Sequence, residues 1–318
     1  MNDEIKKDQS DVEEVLVIGA QQGPSLWKVY KDDHVLWVMG VLSPIPKKLD
    51  WRSAQVEDAI ASSQELLLPV DFDFNISVFK QITLMPSLIG IKKNPDKQTL
   101  KEILPVDLYA RWSVLKAKHI GNDKGIEKER PIFAAVELYE EAIDKSGLED
   151  DHEIWRRVSK LAQKNKLTIT KPIIKQDMKN PKAIVKGFKK ADINDTECFT
   201  KIIERVEFDM EAMRVRANAW ATGDMETLNK ISVSDAYIAC SAVIFQSSIA
   251  QELGMENVPE RLKTVWLEAA EKALTTNKST FAVLPISEMM QSDGYIAELK
   301  ARNYKVEGWG FASATDAM

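Results

Sequence analysis

A chain of 318 residues with 44% hydrophobic content can bury one large core or two modest ones. With a net charge of -6 nothing suggests a nucleic-acid footprint, which would need a basic face, and no apolar run reaches the length of a membrane span. The opening MNDEIKKDQSDVEE is polar and lacks an apolar signal core, so residues 1–22 read as a flexible lead-in.

The first structured stretch is a β-hairpin over residues 23–46. Residues 26–30 alternate sides, Lys31-Asp32-Asp33-His34 make a polar turn, and residues 35–41 are apolar almost without a break. Such a run suits a strand covered on both faces, in the middle of a sheet. Gly40 near its end permits a sharp turn at the carboxyl edge, where α/β sheets keep their crevice. Residues 50–64 place Val56, Ala59, Ile60 and Ser63 on one helical face with Asp50 as N-cap, and residues 65–70 are strand-like, completing a crossover unit.

Residues 76–163 read as helical throughout. The segments are 79–91, interrupted by Pro86, then 99–104, 106–119, 131–145 and 151–166. They form an all-helical insertion, about 76–166, packed over the sheet as a lid or cap. Residues 167–174 form a strand weakened by Pro172, and Asn180-Pro181 opens a short basic helix to Lys190. Residues 195–222 read as the longest helix, with Phe199, Ile202, Ile203, Val206, Met210 and Met213 as its stripe. Helices over 235–253 and 259–276, a strand over 279–286, a helix over 287–301 and a strand over 304–309 close the chain. The expected fold is α/β, with a central mixed β-sheet from N- and C-terminal strand-turn-helix-strand units, flanked by helices. Residues 23–311 make one domain and 312–318 a frayed tail.

Four stretches resemble the TraB/GumN family, which includes Tiki-type metallopeptidases and relates to the EreA/ChaN-like fold. They are Ser25-Leu26-Trp27-Lys28-Val29 with Gly40; Arg216-Ala217-Asn218-Ala219-Trp220-Ala221-Thr222-Gly223-Asp224; Glu260-Arg261, with Leu262 where the family has asparagine; and Asp293-Gly294-Tyr295 with Ala301-Arg302-Asn303-Tyr304-Lys305-Val306. The resemblance runs from about Gly23 to Val306. It implies a metal held by two Gly-x-x-His turns and a glutamate, which would acidify a bound water. Here the first histidine position is Ser43, the glutamate position falls at or next to Pro69, and the second motif reads Leu284-Pro285-Ile286-Ser287. A hydroxyl is a poor ligand and proline offers none, so the expectation is a degenerate member with no metal and no cofactor. The former site is then a binding cleft of Gly40, Ser43, Pro69, Arg261, Ser287 and Glu288. Export to a bacterial periplasm or envelope is also implied by the resemblance.

Other chemistry is weaker. His34, His119 and His152 have no paired metal spacing. Glu65, Asp71, Asp73, Glu288 and Asp293 could form a carboxylate site, but solvated loop acids are the simpler reading. Ser43 and Ser287 lie in no Gly-x-Ser-x-Gly turn, and the glycines form no phosphate loop. The eight tryptophans read as core before pocket. Lysines from Lys171 to Lys190 read as a solvated face, with an anionic partner or lipid headgroups as the other reading. Cys198 and Cys240 fit either a disulfide or two buried thiols. Three functions follow: a non-catalytic binder of a peptide, extended ligand or partner protein; a hydrolase with a relocated carboxylate site near Glu288 and Asp71; or a structural envelope protein with a filled cleft.

Overall fold

The structure is a computed structural model and describes residues 23–47, 54–178, 180–191, 195–230, 240, 250, 251 and 253–308. The expected lead-in, tail, Asp50 cap, Trp51, Trp309 and most of the 235–253 helix lie outside the described residues.

The chain opens with β1 (Leu26–Lys31), β2 (His34–Val41) and β3 (Ile45–Pro46), then α1 (Ala54–Ala61), β4 (Glu65–Leu67) and β5 (Asp71–Asn75). Helices α2 (Val78–Leu88), α3 (Leu100–Ile103), α4 (Val106–His119) and α5 (Pro131–Lys145) follow, then β6 (Leu148–Glu149) and α6 (His152–Lys164). Next come β7 (Thr168–Thr170), β8 (Ile173–Asp177), α7 (Pro181–Lys190), α8 (Thr196–Phe208), α9 (Met210–Thr222) and α10 (Met225–Lys230). The remaining described elements are α11 (Val258–Thr276), β9 (Ser279–Pro285), α12 (Ile286–Met289), α13 (Tyr295–Ala301) and β10 (Lys305–Gly308).

Six strands form the central sheet in the order β10-β1-β2-β9-β4-β7. β1 is antiparallel to β2 and β10, while β2, β9, β4 and β7 run parallel to one another. The sheet is therefore mixed, with strands from both ends of the chain. β2 is a central strand, as its apolar run requires: Leu36, Val38, Met39 and Val41 are buried. The hairpin turn is tighter than expected, because only Asp32 and Asp33 separate the strands and Asp32 takes a positive φ of 54°.

Two apolar clusters organise the helices. Helices α1, α6 and α11 pack Val56, Ile60, Ile154, Val158, Trp266 and Leu267 against the sheet. A second cluster joins α4, α5 and α8 through Leu108, Trp112, Leu138, Phe199 and Ile203. Thus α6, the last helix of the expected insertion, serves the sheet, and α8, from beyond the insertion, completes the second cluster.

Several sequence readings need correction. The stretch 195–222 is two helices, since Asp209 (φ -101°, ψ -3°) closes α8 and opens α9. The longest helix among the described residues is α11, with 19 residues. The stretch 76–163 is not wholly helical, because β6 pairs with β3. The expected strand at 167–174 divides at Lys171-Pro172 into β7 and β8, and β8 pairs with the unforeseen β5. Pro86 lies inside α2 without ending it. The expected 287–301 helix breaks into α12 and α13 around Gly294, where a Cβ would come within 2.3 Å of the Glu288 carbonyl oxygen.

Candidate functional site

Three adjacent strands, β2, β9 and β4, run parallel and point their carboxyl ends the same way, β2 and β9 ending level and β4 three residues earlier. Val41 lies opposite Pro285, and Leu67 opposite Ala282. Ser43, Ser287 and Pro69 each follow two residues beyond the end of their strand, so sheet register brings all three to one carboxyl edge. Ser43 is exposed there, while Pro69 and Ser287 are half-buried. Register also sets Gly40 opposite Leu284, which gives Ser43 and Ser287 equivalent places on neighbouring strands.

Gly40 does not make the expected sharp turn, because it lies within β2. What it supplies is room. A Cβ at Gly40 would meet Ile286 Cγ1 at 2.9 Å and Met289 Cε at 3.0 Å. Helix α12 therefore lies directly on the end of β2, and apolar atoms of Ile286 and Met289 fill part of the space beside the strand. On this same residue the buried Trp220 Nε1 donates to the Gly40 carbonyl at 2.7 Å.

Arg261 sits in the first turn of α11, and α11 leads through Asn277 into β9. A helix antecedent to a parallel strand begins near the strand's carboxyl edge. Its guanidinium donates to the Gly254 carbonyl at 2.8 Å and to Gln176 Oε1 at 3.2 Å, and lies 5.5 Å from the centre of the Phe72 ring. These partners fix Arg261 against the β5–β8 ribbon, which continues the chain beyond β4 and β7.

Glu288, on α12, is half-buried and makes no side-chain hydrogen bond or ion pair among the described residues. Burial raises its carboxyl above the ordinary glutamate range. The other acids are dispersed. Glu65 lies at the opposite end of β4 and accepts from Asn277 Nδ2 at 2.5 Å. Asp71 pairs with Lys171 at 2.7 Å, whose hydrogen bond holds its carboxyl below the ordinary range. Asp73 is exposed, and Asp293 faces Lys263 at 3.7 Å. Among the described residues no group of three or more His, Cys, Asp or Glu could hold a metal ion.

The histidines stand apart from this edge. His34 Nδ1 lies 2.7 Å from the Asn277 carbonyl at the start of β2, His152 pairs with Asp150 at 2.5 Å, and His119 is buried at the end of α4. Trp27, Trp112, Trp220 and Trp266 are buried, and Trp37 and Trp155 pack on the sheet core, so these six are structural. Cys198 and Cys240 are joined in a disulfide.

The Trp220-Ala221-Thr222-Gly223-Asp224 stretch has a physical role that composition does not show. Trp220 holds β2, and Gly223 takes φ 73° to end α9, where a Cβ would lie 2.8 Å from the Gly23 carbonyl oxygen. Asp224 accepts from the Thr227 amide at 3.0 Å and so caps α10. The apolar cover from Ile286 and Met289 was not foreseen, and no local pattern marks it, because it depends on β9 pairing beside β2.

These features define an α/β protein whose candidate site lies beyond the carboxyl ends of neighbouring parallel strands, with α12 packed on the end of β2. The model of the TraB/PrgY/gumN family matches residues 25–308, and the chain belongs to that family. Neither a curated protein nor a solved structure matches it.

Proposed function

We propose that this TraB/PrgY/gumN member binds an extended ligand, a peptide or a segment of a partner protein, at the carboxyl edge of its sheet without hydrolysing it. The observation that carries this reading is the set of side chains there: serine, serine and proline follow three adjacent parallel strands. Hydroxyls and a pyrrolidine ring do not hold a divalent ion as imidazoles and carboxylates do. An extended ligand is favoured because β5 and β8 pair only with each other, leaving both outer edges of that ribbon open among the described residues. A peptide can add to such an edge through main-chain hydrogen bonds. The bond between Cys198 and Cys240 supports an oxidising compartment such as the periplasm or envelope.

The half-buried Glu288 favours a second reading, residual hydrolysis with this carboxyl as proton donor. Asp71, the partner expected for such a site, is engaged by Lys171.

Elemental analysis of dialysed protein, together with mass spectrometry of a peptide pool incubated with it, separates the readings. The binding reading expects no stoichiometric zinc, manganese or cobalt, intact peptides, and amide-exchange protection of β5 and β8 by retained peptides. Peptide cleavage that survives dialysis and disappears in Glu288→Gln would establish the hydrolase instead.

A further inference from the structure

We infer that helices α2 and α7 form a face that docks on an anionic lipid surface. This is independent of the cleft. The parallel pairing of β5 and β8 sets Asn75 opposite Asp177, so the chain leaves both strands at the same end and starts both helices there. The helices pack side by side, and Lys189 Nζ donates to the Ile89 carbonyl at 2.5 Å.

Each helix turns an unusual face outward. Ile82 and Met85 of α2 and Ile89 just past its end keep i, i+3, i+7 spacing and are 65%, 65% and 77% exposed. On α7, Pro181, Ile184 and Val185 are buried, while Lys182, Lys186 and Lys190 recur every fourth residue on the exposed side. Residues 76–94 and 178–190 together hold eight lysines and no aspartate or glutamate, in a chain of net charge -6. Lys93 is engaged by Glu129 at 3.1 Å, Lys92 lies over the Phe133 ring and Lys189 reaches the Ile89 carbonyl, while the exposed Lys182, Lys186 and Lys190 of the α7 stripe make no side-chain hydrogen bond or ion pair among the described residues.

The composition selects the occupant. Protein interfaces enrich arginine, aromatic residues and methionine and deplete lysine, so the missing arginine and the abundant lysine, rather than Met85, set this face apart from one. These two segments have no arginine, and their exposed apolar residues are aliphatic or methionine. Aliphatic side chains flanked by lysine are what an interfacial helix uses, with the apolar face below the headgroups and ammonium groups among the phosphates. Among the described residues no helix is long and apolar enough to cross a membrane, so the contact is peripheral.

The test uses the full chain with vesicles of phosphatidylcholine alone and vesicles also containing phosphatidylglycerol. Sedimentation with the anionic vesicles at low salt, weakened by high salt and absent with neutral vesicles, is expected. Lys182→Glu/Lys186→Glu/Lys190→Glu and, separately, Ile82→Ser/Met85→Ser/Ile89→Ser each reduce binding at least about tenfold while circular dichroism keeps its native form. No sedimentation with anionic vesicles, or wild-type binding by both variants, overturns the proposal. A dimer in light scattering that the serine variant dissociates also overturns it, since the face would then be a protein interface.

Discussion

Trp220 Nε1 donates to the Gly40 carbonyl across 2.7 Å, a buried hydrogen bond between residues 180 apart in sequence. It joins the end of α9 to the central strand just before the candidate site. Because α9 then ends at Gly223 against Gly23, one short stretch anchors both the entry to β1 and the exit of β2. Trp220→Phe keeps most of the packed ring but removes the donor. A loss of about 1–3 kcal/mol is expected from urea unfolding, because a buried carbonyl forfeits a partner.

Gly40→Ala tests the cover over the strand end. The added methyl would lie 2.9 Å from Ile286 Cγ1 and 3.1 Å from Ile286 Cβ. The Met289 methyl can swing aside, but the Ile286 Cβ is fixed by its backbone. Overpacking costs about 1–3 kcal/mol, and a double-mutant cycle with Ile286→Ala is expected to be non-additive, the second change relieving part of the first. Strict additivity would mean that α12 does not rest on β2.

Gly294→Ala probes the turn that carries Glu288. Its Cβ would fall 2.3 Å from the Glu288 carbonyl oxygen and 3.0 Å from those of Met289 and Gln291. Main-chain atoms must move, so a loss of at least about 1–3 kcal/mol is expected. The same shift changes the burial of Glu288, which a carboxyl titration by NMR detects as a fall of its raised pKa toward the ordinary range.

Periodicity and caps made much of this fold legible. α5 begins at Pro131, α7 begins at Pro181 with Asn180 accepting from the Ala183 amide, and the apolar run of β2 marks a central strand. What the sequence hid has physical causes. The stripe Phe199, Ile202, Ile203, Val206, Met210, Met213 keeps its phase across Asp209, so a break there leaves no mark in the pattern. β5 alternates exposed acids with half-buried phenylalanines, which reads as loop until its partner β8 is known. At the site, the strand ends were legible one by one, but that they share an edge depends on β9 inserting between β2 and β4, a long-range pairing no local signal encodes.

The disulfide closes a loop over a sequence separation of 42 and ties Cys240 to the second apolar cluster around Cys198. Chain-entropy reasoning gives a stabilisation of about 4 kcal/mol for a loop of that length. Cys198→Ser/Cys240→Ser is expected to lower the unfolding free energy by up to that amount, and reductant to lower that of the wild type similarly while leaving the double variant unchanged. An identical urea midpoint with and without reductant would show that the bond adds no stability.

His119 predicts acid sensitivity at the end of α4. It is 5% exposed, and neither ring nitrogen has a hydrogen-bond partner among the described residues. Burial first, then Lys118 and Lys145, pushes its pKa below the ordinary imidazole value, so the native state holds it neutral. The unfolded chain takes up a proton near pH 6.5, earlier than the folded one. Stability from this site is therefore full above that value and is lost as pH falls through it toward the lowered folded pKa, as linkage requires. His119→Leu removes the titration and the unpartnered nitrogens. Urea midpoints of wild type and variant are expected to diverge between pH 7 and pH 5, with the wild type losing more; parallel curves would show that another group controls the acid limit.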